Sequence, residues 1–289
     1  MGVLPPGGEA APGRGVGGRG RVMGLAVPPL GPGVCVVCRG PARDGRPQCW
    51  CCRQVSAALG PGRGAGPALI PVALCRVGDA LHHVLRGYKD AASAAVRQGH
   101  ARRLAAHLEA FFIQHEVGPE AAGARPWDTV ATVPSSTPGA RRWDRRPAAA
   151  PGSHPLHGVV ARVPVLARCR PVGQPRRPGS RGAGHLAPHL GAFVPDGDVS
   201  GLRVLVLDDA WVTGARLRSA AAALEDGGAV VVAMVVAGRV VDPGASPGVA
   251  RWWAWAERCA SGADPGAGPS RRRGRGATGP AGPGAVRVR

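Results

Sequence analysis

The sequence predicts an α/β protein whose core is a parallel sheet flanked by helices. Residues 204–207 and 229–236 are continuously apolar, which indicates strands that are covered by helices on both faces. Residues 215–224 lie between them and repeat apolar residues at helical spacing, so the order is strand, helix, strand. A unit of this kind joins parallel strands, and it therefore predicts the fold class.

Composition divides the chain into four segments. Residues 1–33 are rich in Gly and Pro without a hydrophobic period, and we expect them to be disordered. Residues 34–59 form a cysteine-dense module, and residues 69–259 form the globular domain. Residues 260–289 are a basic tail that we also expect to be disordered. The 46 Gly and 30 Pro of the 289-residue chain account for such long segments without a core.

The remaining elements of the globular domain follow from periodicity and from helix breakers. We predict helices over residues 79–85, 92–116, 155–163 and 251–258, and a short strand over residues 129–133. The longest helix has one apolar face, which consists of Leu104, Leu108, Phe111 and Phe112. The Arg- and Pro-rich segments between these elements are predicted loops.

The formal net charge of +19, from 37 Lys and Arg against 18 Asp and Glu, is unevenly distributed. Residues 134–186 alone contain ten Arg and one Asp. This charge lies on predicted loops, where it would attract a polyanion such as single-stranded DNA without shaping the fold. Trp127 and Trp143 lie beside or within this segment and offer faces for base stacking. The alternative is a solvated loop whose arginines reflect a GC-rich genome.

The chain shows no signal for a membrane. Its longest apolar run, residues 229–237, is nine residues long and covers about half of a bilayer. The N-terminus lacks the apolar stretch of a secretion signal. We therefore expect a cytoplasmic protein without a membrane partner.

Four cysteines have the spacing of a zinc site. Two C-x-x-C pairs, separated by ten residues, supply the four thiolates of a tetrahedral Zn²⁺ centre from Cys35, Cys38, Cys49 and Cys52. Cys51 leaves the register open, because it is able to replace Cys49 or Cys52. Disulfides or incidental thiols are the alternative, and a cytoplasmic setting argues against disulfides. The zinc would be structural, since direct nucleic-acid contact is favoured by aromatic residues and the module offers only Trp50.

The most informative segment follows the strand at residues 204–207. Asp208 and Asp209 come where this strand is predicted to end, and a loop with Thr213 and Gly214 then opens a helix. Ligands of open parallel sheets bind at the carboxyl ends of strands, and amides at a helix N-terminus favour phosphate. The two carboxylates would accept hydrogen bonds from sugar hydroxyls. The segment therefore predicts a ribose 5-phosphate site, and its alternative is a solvated Asp-Asp turn before an ordinary helix.

This segment resembles the phosphoribosyl-diphosphate signature of type I phosphoribosyltransferases, and several neighbours resemble the ComF family. The resemblance covers about residues 35–240 in matching order. It rests on the cysteine pairs, on residues 86–90 with Tyr88 and Lys89, on Val133, Pro134, Ser135 and Arg141, and on His154, Pro155 and Leu156.

The resemblance implies a five-stranded parallel sheet that binds Mg²⁺-phosphoribosyl diphosphate and, in an enzyme, transfers the phosphoribosyl group. Asp208 and Asp209 would hold the ribose hydroxyls. The 5-phosphate would lie against Val212, Thr213, Gly214, Ala215 and Arg216, and the pyrophosphate near Pro134 and Ser135. Lys89 or an arginine of residues 141–146 would meet the pyrophosphate charge.

Two residues depart from the family pattern. Arg216 stands where family members commonly have Thr or Ser, and it would either compensate by charge or block the pocket. Val212 stands where purine-type relatives have an Asp that acts on the incoming base, and Val212 cannot transfer a proton. The sequence thus supports two hypotheses. One is a transferase with an unknown acceptor, and the other is a non-catalytic protein that binds single-stranded nucleic acid in DNA uptake or repair.

Overall fold

The structure is a computed structural model, and it describes residues 22–43, 45–60, 69–114, 127–133, 155–163, 166, 170–172, 188, 191, 193–195 and 197–263. The helices are α1 (Trp50–Leu59), α2 (Ala80–Asp90), α3 (Ala94–Gln114), α4 (Pro155–Val160), α5 (Ala215–Asp226) and α6 (Pro247–Ala260). The strands are β1 (Leu69–Pro71), β2 (Leu74–Arg76), β3 (Thr129–Thr132), β4 (Arg170–Val172), β5 (Arg203–Trp211) and β6 (Val230–Val241). A 3-10 turn, Pro243–Ala245, precedes α6.

The strands form one sheet in the order β1-β6-β5-β3-β4, and β2 continues along β6 beside β1. Each of these strand pairs is parallel. The predicted parallel sheet flanked by helices is therefore confirmed. Among the described residues, no helix is both long enough and apolar enough to cross a membrane.

Helices cover both faces of the sheet, which explains why β5 and β6 are continuously apolar. Alternate residues of β5 point to opposite sides, so Leu205 and Leu207 belong to one core cluster and Val204 and Val206 to another. The first cluster includes residues of α2, α3 and α4. The second includes residues of α5 and the paired cysteines.

The chain reverses its direction of travel across the sheet between β3 and β5. From β3 it passes through α4 to β4 on one side, and from β5 it passes through α5 to β6 on the other. The two helices lie on opposite faces, as right-handed crossovers in opposite directions require. The carboxyl ends of β3 and β5 therefore border the crevice where open α/β sheets bind ligands.

Strand β5 is longer than the predicted residues 204–207. It continues through Asp208 and Asp209 to Trp211, because β6 pairs with it as far as Arg239. Its pairing with β3 ends at Leu207. The two carboxylates thus lie inside β5, but just beyond the point where β3 stops.

Part of the N-terminal segment predicted to be disordered lies among the described residues. The backbones of Leu25 and Leu74 exchange two hydrogen bonds of 2.8 Å, which add a bridge beside β2. The amide of Met23 also donates to Nδ1 of the buried His107 at 2.9 Å. The few apolar side chains of this segment, Val22, Met23, Leu25 and Val27, pack against the core clusters of the domain. The basic tail after residue 263 lies outside the described residues.

Candidate ligand site and metal centre

The candidate ligand site begins with Asp209, which lies in a buried ion pair. Asp209 is 6% exposed, and its Oδ2 accepts a 2.7 Å hydrogen bond from the hydroxyl of Tyr88. The same oxygen accepts a hydrogen bond from Nζ of Lys89. Burial, and then the charge of Asp209, raise the pKa of Tyr88 well above its usual value, so the hydroxyl stays protonated as a donor. Helix α2 is thereby fixed to the carboxyl end of β5.

Asp208 has a different environment from its neighbour. Its Oδ1 accepts a 2.9 Å hydrogen bond from the Asp209 amide, and its side chain is half-buried. Burial and the charge of Asp209 raise the pKa of Asp208 to about 8, against the opposing charges of Arg216 and Lys89. Because the pKa of this carboxyl lies close to neutral pH, a cation or a hydrogen-bond donor that binds beside it would lower the pKa and return the carboxyl to its charged form.

The loop after β5 is shaped by Gly214 and Trp211. Gly214 has φ of 82°, in the left-handed region, and forms the N-cap of α5 without a side-chain cap. A Cβ at this position would lie 2.0 Å from a carbon of the buried Trp211 ring. The hydroxyl of Thr213 accepts from the Ala215 amide at 3.3 Å, and Val212 is 57% exposed. The loop therefore presents backbone and a helix N-terminus at the sheet edge, as an anion site requires.

The structure brings some of the predicted ligand residues together and leaves others untested. Asp208, Asp209 and the loop of residues 212–216 lie at one end of β5. Lys89, a candidate for the pyrophosphate charge, instead contacts Asp209. Pro134, Ser135 and the arginines of residues 141–146 lie outside the described residues. Sequence reasoning missed the link between Asp209 and α2, since about 120 residues separate Asp209 from Tyr88 and Lys89.

The four predicted zinc ligands form one buried cluster. The Sγ atoms of Cys35, Cys38, Cys49 and Cys52 all lie within 4.8 Å of one another. Cys51 is outside the cluster and partly exposed, so the geometry favours Cys49 and Cys52 over Cys51 as ligands. Helix α1, which was not predicted, begins directly after Cys49, so that its first turn carries Cys52 into the cluster.

The cluster fits a tetrahedral metal ion such as zinc. Zn–S bonds of about 2.3 Å place tetrahedral sulfurs about 3.8 Å apart, and Cys38 Sγ lies 3.7 Å from Cys49 Sγ. The Cys49 amide donates to Cys35 Sγ at 3.3 Å, as is usual around metal-bound thiolates. Hydrogen bonds from Cys35, then Cys49 and Cys52, lower the pKa of Cys38 well below its usual value, with help from the charge of Arg239. Four thiolates on one divalent ion leave a net charge of about −2 that requires compensation.

Two buried arginines of the globular domain supply positive charge beside the cluster, and sequence analysis identified neither. Arg218 of α5 is 1% exposed and donates to the Cys52 carbonyl oxygen at 3.2 Å and to the Ser56 hydroxyl at 3.0 Å. The pKa of Arg239 in β6 is raised overall. Burial alone would lower it, but the charge of Cys38 and a hydrogen bond to Cys38 outweigh that effect. Arg239 also donates to the Trp211 carbonyl oxygen at 3.2 Å. The metal centre and the end of β5 thus share a buried residue.

Comparison of this chain with models of protein families, with curated proteins and with solved structures gives no match.

Proposed function

We propose that this protein is a ComF-like member of the type I phosphoribosyltransferase fold that binds Mg²⁺-phosphoribosyl diphosphate and transfers the phosphoribosyl group to an acceptor. The observation that carries the proposal is the meeting of a half-buried carboxyl, Asp208, with the N-terminus of α5, whose N-cap Gly214 has no side chain, at the switch point between β3 and β5. The proposal also rests on the sequence resemblance over residues 35–240. The proposal includes a structural zinc ion bound by the cysteine cluster.

In this proposal the two carboxylates have unequal roles. Asp209 already accepts from Tyr88 and Lys89, so it positions its neighbour and neutralises Lys89. Asp208 is the carboxylate that would accept hydrogen bonds from the ribose hydroxyls, and its raised pKa falls when a cation-bearing ligand binds. The amides at the start of α5, with Arg216, hold the 5-phosphate.

The reaction would join the acceptor to ribose C1 while the bond from C1 to pyrophosphate breaks and its electrons leave with pyrophosphate. Mg²⁺ bound to the diphosphate would stabilise the charge of the leaving group. The protein contributes position and charge, because the transition state resembles an oxocarbenium ion. Val212 is unable to remove a proton, so the acceptor must react as an anion or lose its proton to a group outside the loop of residues 212–216.

Calorimetric titration with Mg²⁺-phosphoribosyl diphosphate tests the proposal. We expect saturable binding by the wild type and at least about tenfold weaker binding by Gly214→Ala, because a left-handed alanine costs about 1–2 kcal/mol and its Cβ displaces the Trp211 ring. Gly228→Ala is the matched control, since Gly228 also has a positive φ, of 87°, but lies beyond the other end of α5.

Thermal melts of the same variants separate lost binding from lost folding. Asp208→Asn, which keeps the side-chain volume, is a second variant and should also weaken binding. If the wild type shows no binding at millimolar ligand with Mg²⁺, or if both Gly214→Ala and Asp208→Asn bind like the wild type, the proposed function is wrong.

A further inference from the structure

A second cleft lies between the cysteine module and the ends of β5 and β6. Its volume is about 520 Å³, within the roughly 300–1,000 Å³ of typical small-molecule sites. Of the described residues of the candidate ligand site, Val212 lines the cleft and neither carboxylate does. The cleft is therefore distinct from the proposed phosphoribosyl-diphosphate site, although it adjoins the same loop.

One wall of the cleft offers an aromatic face. Trp50 is 65% exposed, although indole rings are usually well buried, and it occupies the first position of α1. Cys49 and Cys52, on either side of it in sequence, are held in the buried cluster, so the backbone that carries the indole is fixed. Val240, Val241 and Val249 also line the cleft, and they are called its apolar floor. A flat apolar group in the cleft would pack against these side chains and the indole.

The rim of the cleft is positively charged. Among the residues that the structure describes, Arg43, Arg46 and Arg53 line it, together with one carboxylate, Asp242. Oδ1 of Asp242 already accepts a 2.9 Å hydrogen bond from the Gly244 amide. Arg43 donates one hydrogen bond, of 3.0 Å from Nη2 to the Ser246 hydroxyl, and a guanidinium has further donors for an anion. The rim therefore favours a ligand with negative charge, and phosphate suits the guanidinium geometry.

We propose that this cleft binds a nucleotide, with its base against Trp50 and its phosphate on Arg43, Arg46 and Arg53. A planar apolar ring joined to a phosphate is the ligand chemistry that satisfies the indole, the apolar floor and the cationic rim together. A free nucleotide and a nucleotide within a single strand share this chemistry. The inference does not depend on the proposed phosphoribosyl transfer.

The test uses two probes with the full-length zinc-loaded protein. Adenosine 5′-monophosphate, titrated by calorimetry, represents the free nucleotide, and a fluorescein-labelled thymidine decamer, followed by anisotropy from low to physiological salt, represents the strand. We expect Trp50→Ala to weaken binding of the preferred probe by about 5- to 150-fold, the range for one lost stacking contact. Trp50→Phe keeps an aromatic face and should retain most of the affinity.

Charge is tested separately from stacking. The double variant Arg43→Ser, Arg46→Ser should lower the salt slope of decamer binding by about 1.4, because each lost phosphate contact to a single strand contributes about 0.7. The matched control is Arg76→Ser, Arg102→Ser, which removes the same charge from exposed positions that do not line the cleft. Equal zinc contents show that the cleft variants remain folded around the metal.

The outcomes separate the ligand sources. Binding of adenosine monophosphate alone identifies a free nucleotide, and binding of the decamer alone identifies a strand; both support the proposal when Trp50→Ala and the cleft arginine pair weaken them. The proposal is overturned if neither probe binds at millimolar monophosphate or micromolar decamer. It is also overturned if inorganic polyphosphate displaces the probe and Trp50→Ala has no effect, because the cleft would then be a general polyanion surface.

Discussion

Asp208→Asn and Asp209→Asn, made singly, are expected to change the stability of this protein in opposite directions. The two residues are adjacent in β5 and chemically identical, yet their surroundings differ. Asp209 is fully engaged by donors from α2, whereas Asp208 has its pKa raised by burial and by the charge of its neighbour. The pair thus combines a stabilising carboxylate with a destabilising one.

The effect of Asp208 depends on pH in a defined direction. Its pKa is about 8 in the folded protein against 3.8 as the reference, so the folded state binds more protons between these values. The contribution of Asp208 to the free energy of unfolding is therefore fully present below about pH 4, and it is lost as the pH rises through about 8. We expect Asp208→Asn to stabilise the protein by roughly 1–3 kcal/mol at pH 8.5 and by little at pH 4.5.

Asp209→Asn should destabilise the fold at both pH values. The neutral amide still accepts one hydrogen bond, but it leaves the charge of Lys89 uncompensated and gives the hydroxyl of Tyr88 a weaker acceptor. Removal of one partner from a buried ion pair costs about 3–5 kcal/mol, and the partial exposure of Lys89 places the expected loss near the lower end.

Denaturant unfolding of the wild type and both variants at pH 4.5 and 8.5 measures these effects. A difference between Asp208→Asn and the wild type that does not change with pH would contradict the assigned raised pKa. Equal destabilisation by the two substitutions would show that both carboxylates serve the fold and that neither is kept for a ligand.

Loss of the metal should have the largest effect on the whole molecule. We expect the purified protein to contain about one zinc per chain, and Cys38→Ser to lose the metal and the cooperative unfolding transition. The four cysteines belong to the same core cluster as Val206 and Leu217, so the sheet loses part of its cover without them. Arg218 and Arg239 would also remain buried beside a site that no longer carries thiolates.

Metal analysis and thermal unfolding of untagged protein check this expectation. Cys51→Ser is the matched control, because Cys51 is adjacent in sequence but outside the cluster. It should keep both the zinc and the melting temperature. Equal metal content in Cys38→Ser and Cys51→Ser would contradict the assignment of the ligands.

The sequence predicted what depends on local pattern. The β5–α5–β6 unit was recognised because covered strands are continuously apolar and the helix repeats its apolar face. The zinc spacing was recognised because two C-x-x-C pairs are rare by chance. Strand β5 was predicted too short because a hydrophobicity criterion stops at Asp208, whereas pairing with β6 continues beyond it.

What the sequence did not show depends on contacts between distant segments. Arg218 is a charged residue of a helix and would be expected to be exposed. It is buried because the cysteine module packs on α5 and accepts its hydrogen bond. In the same way, the acceptor role of Asp209 depends on Tyr88 and Lys89, which precede it by about 120 residues. Local periodicity contains no information on either pairing.

Hydrogen–deuterium exchange with and without Mg²⁺-phosphoribosyl diphosphate tests most directly where the ligand is held. We expect slower exchange in peptides that cover residues 208–216, because the amides at the start of α5 would donate to the 5-phosphate. We expect no change in peptides that cover the cysteine cluster, since the metal already holds that segment. Unchanged exchange of residues 208–216 at saturating ligand, or protection confined to other segments, would contradict the proposed site.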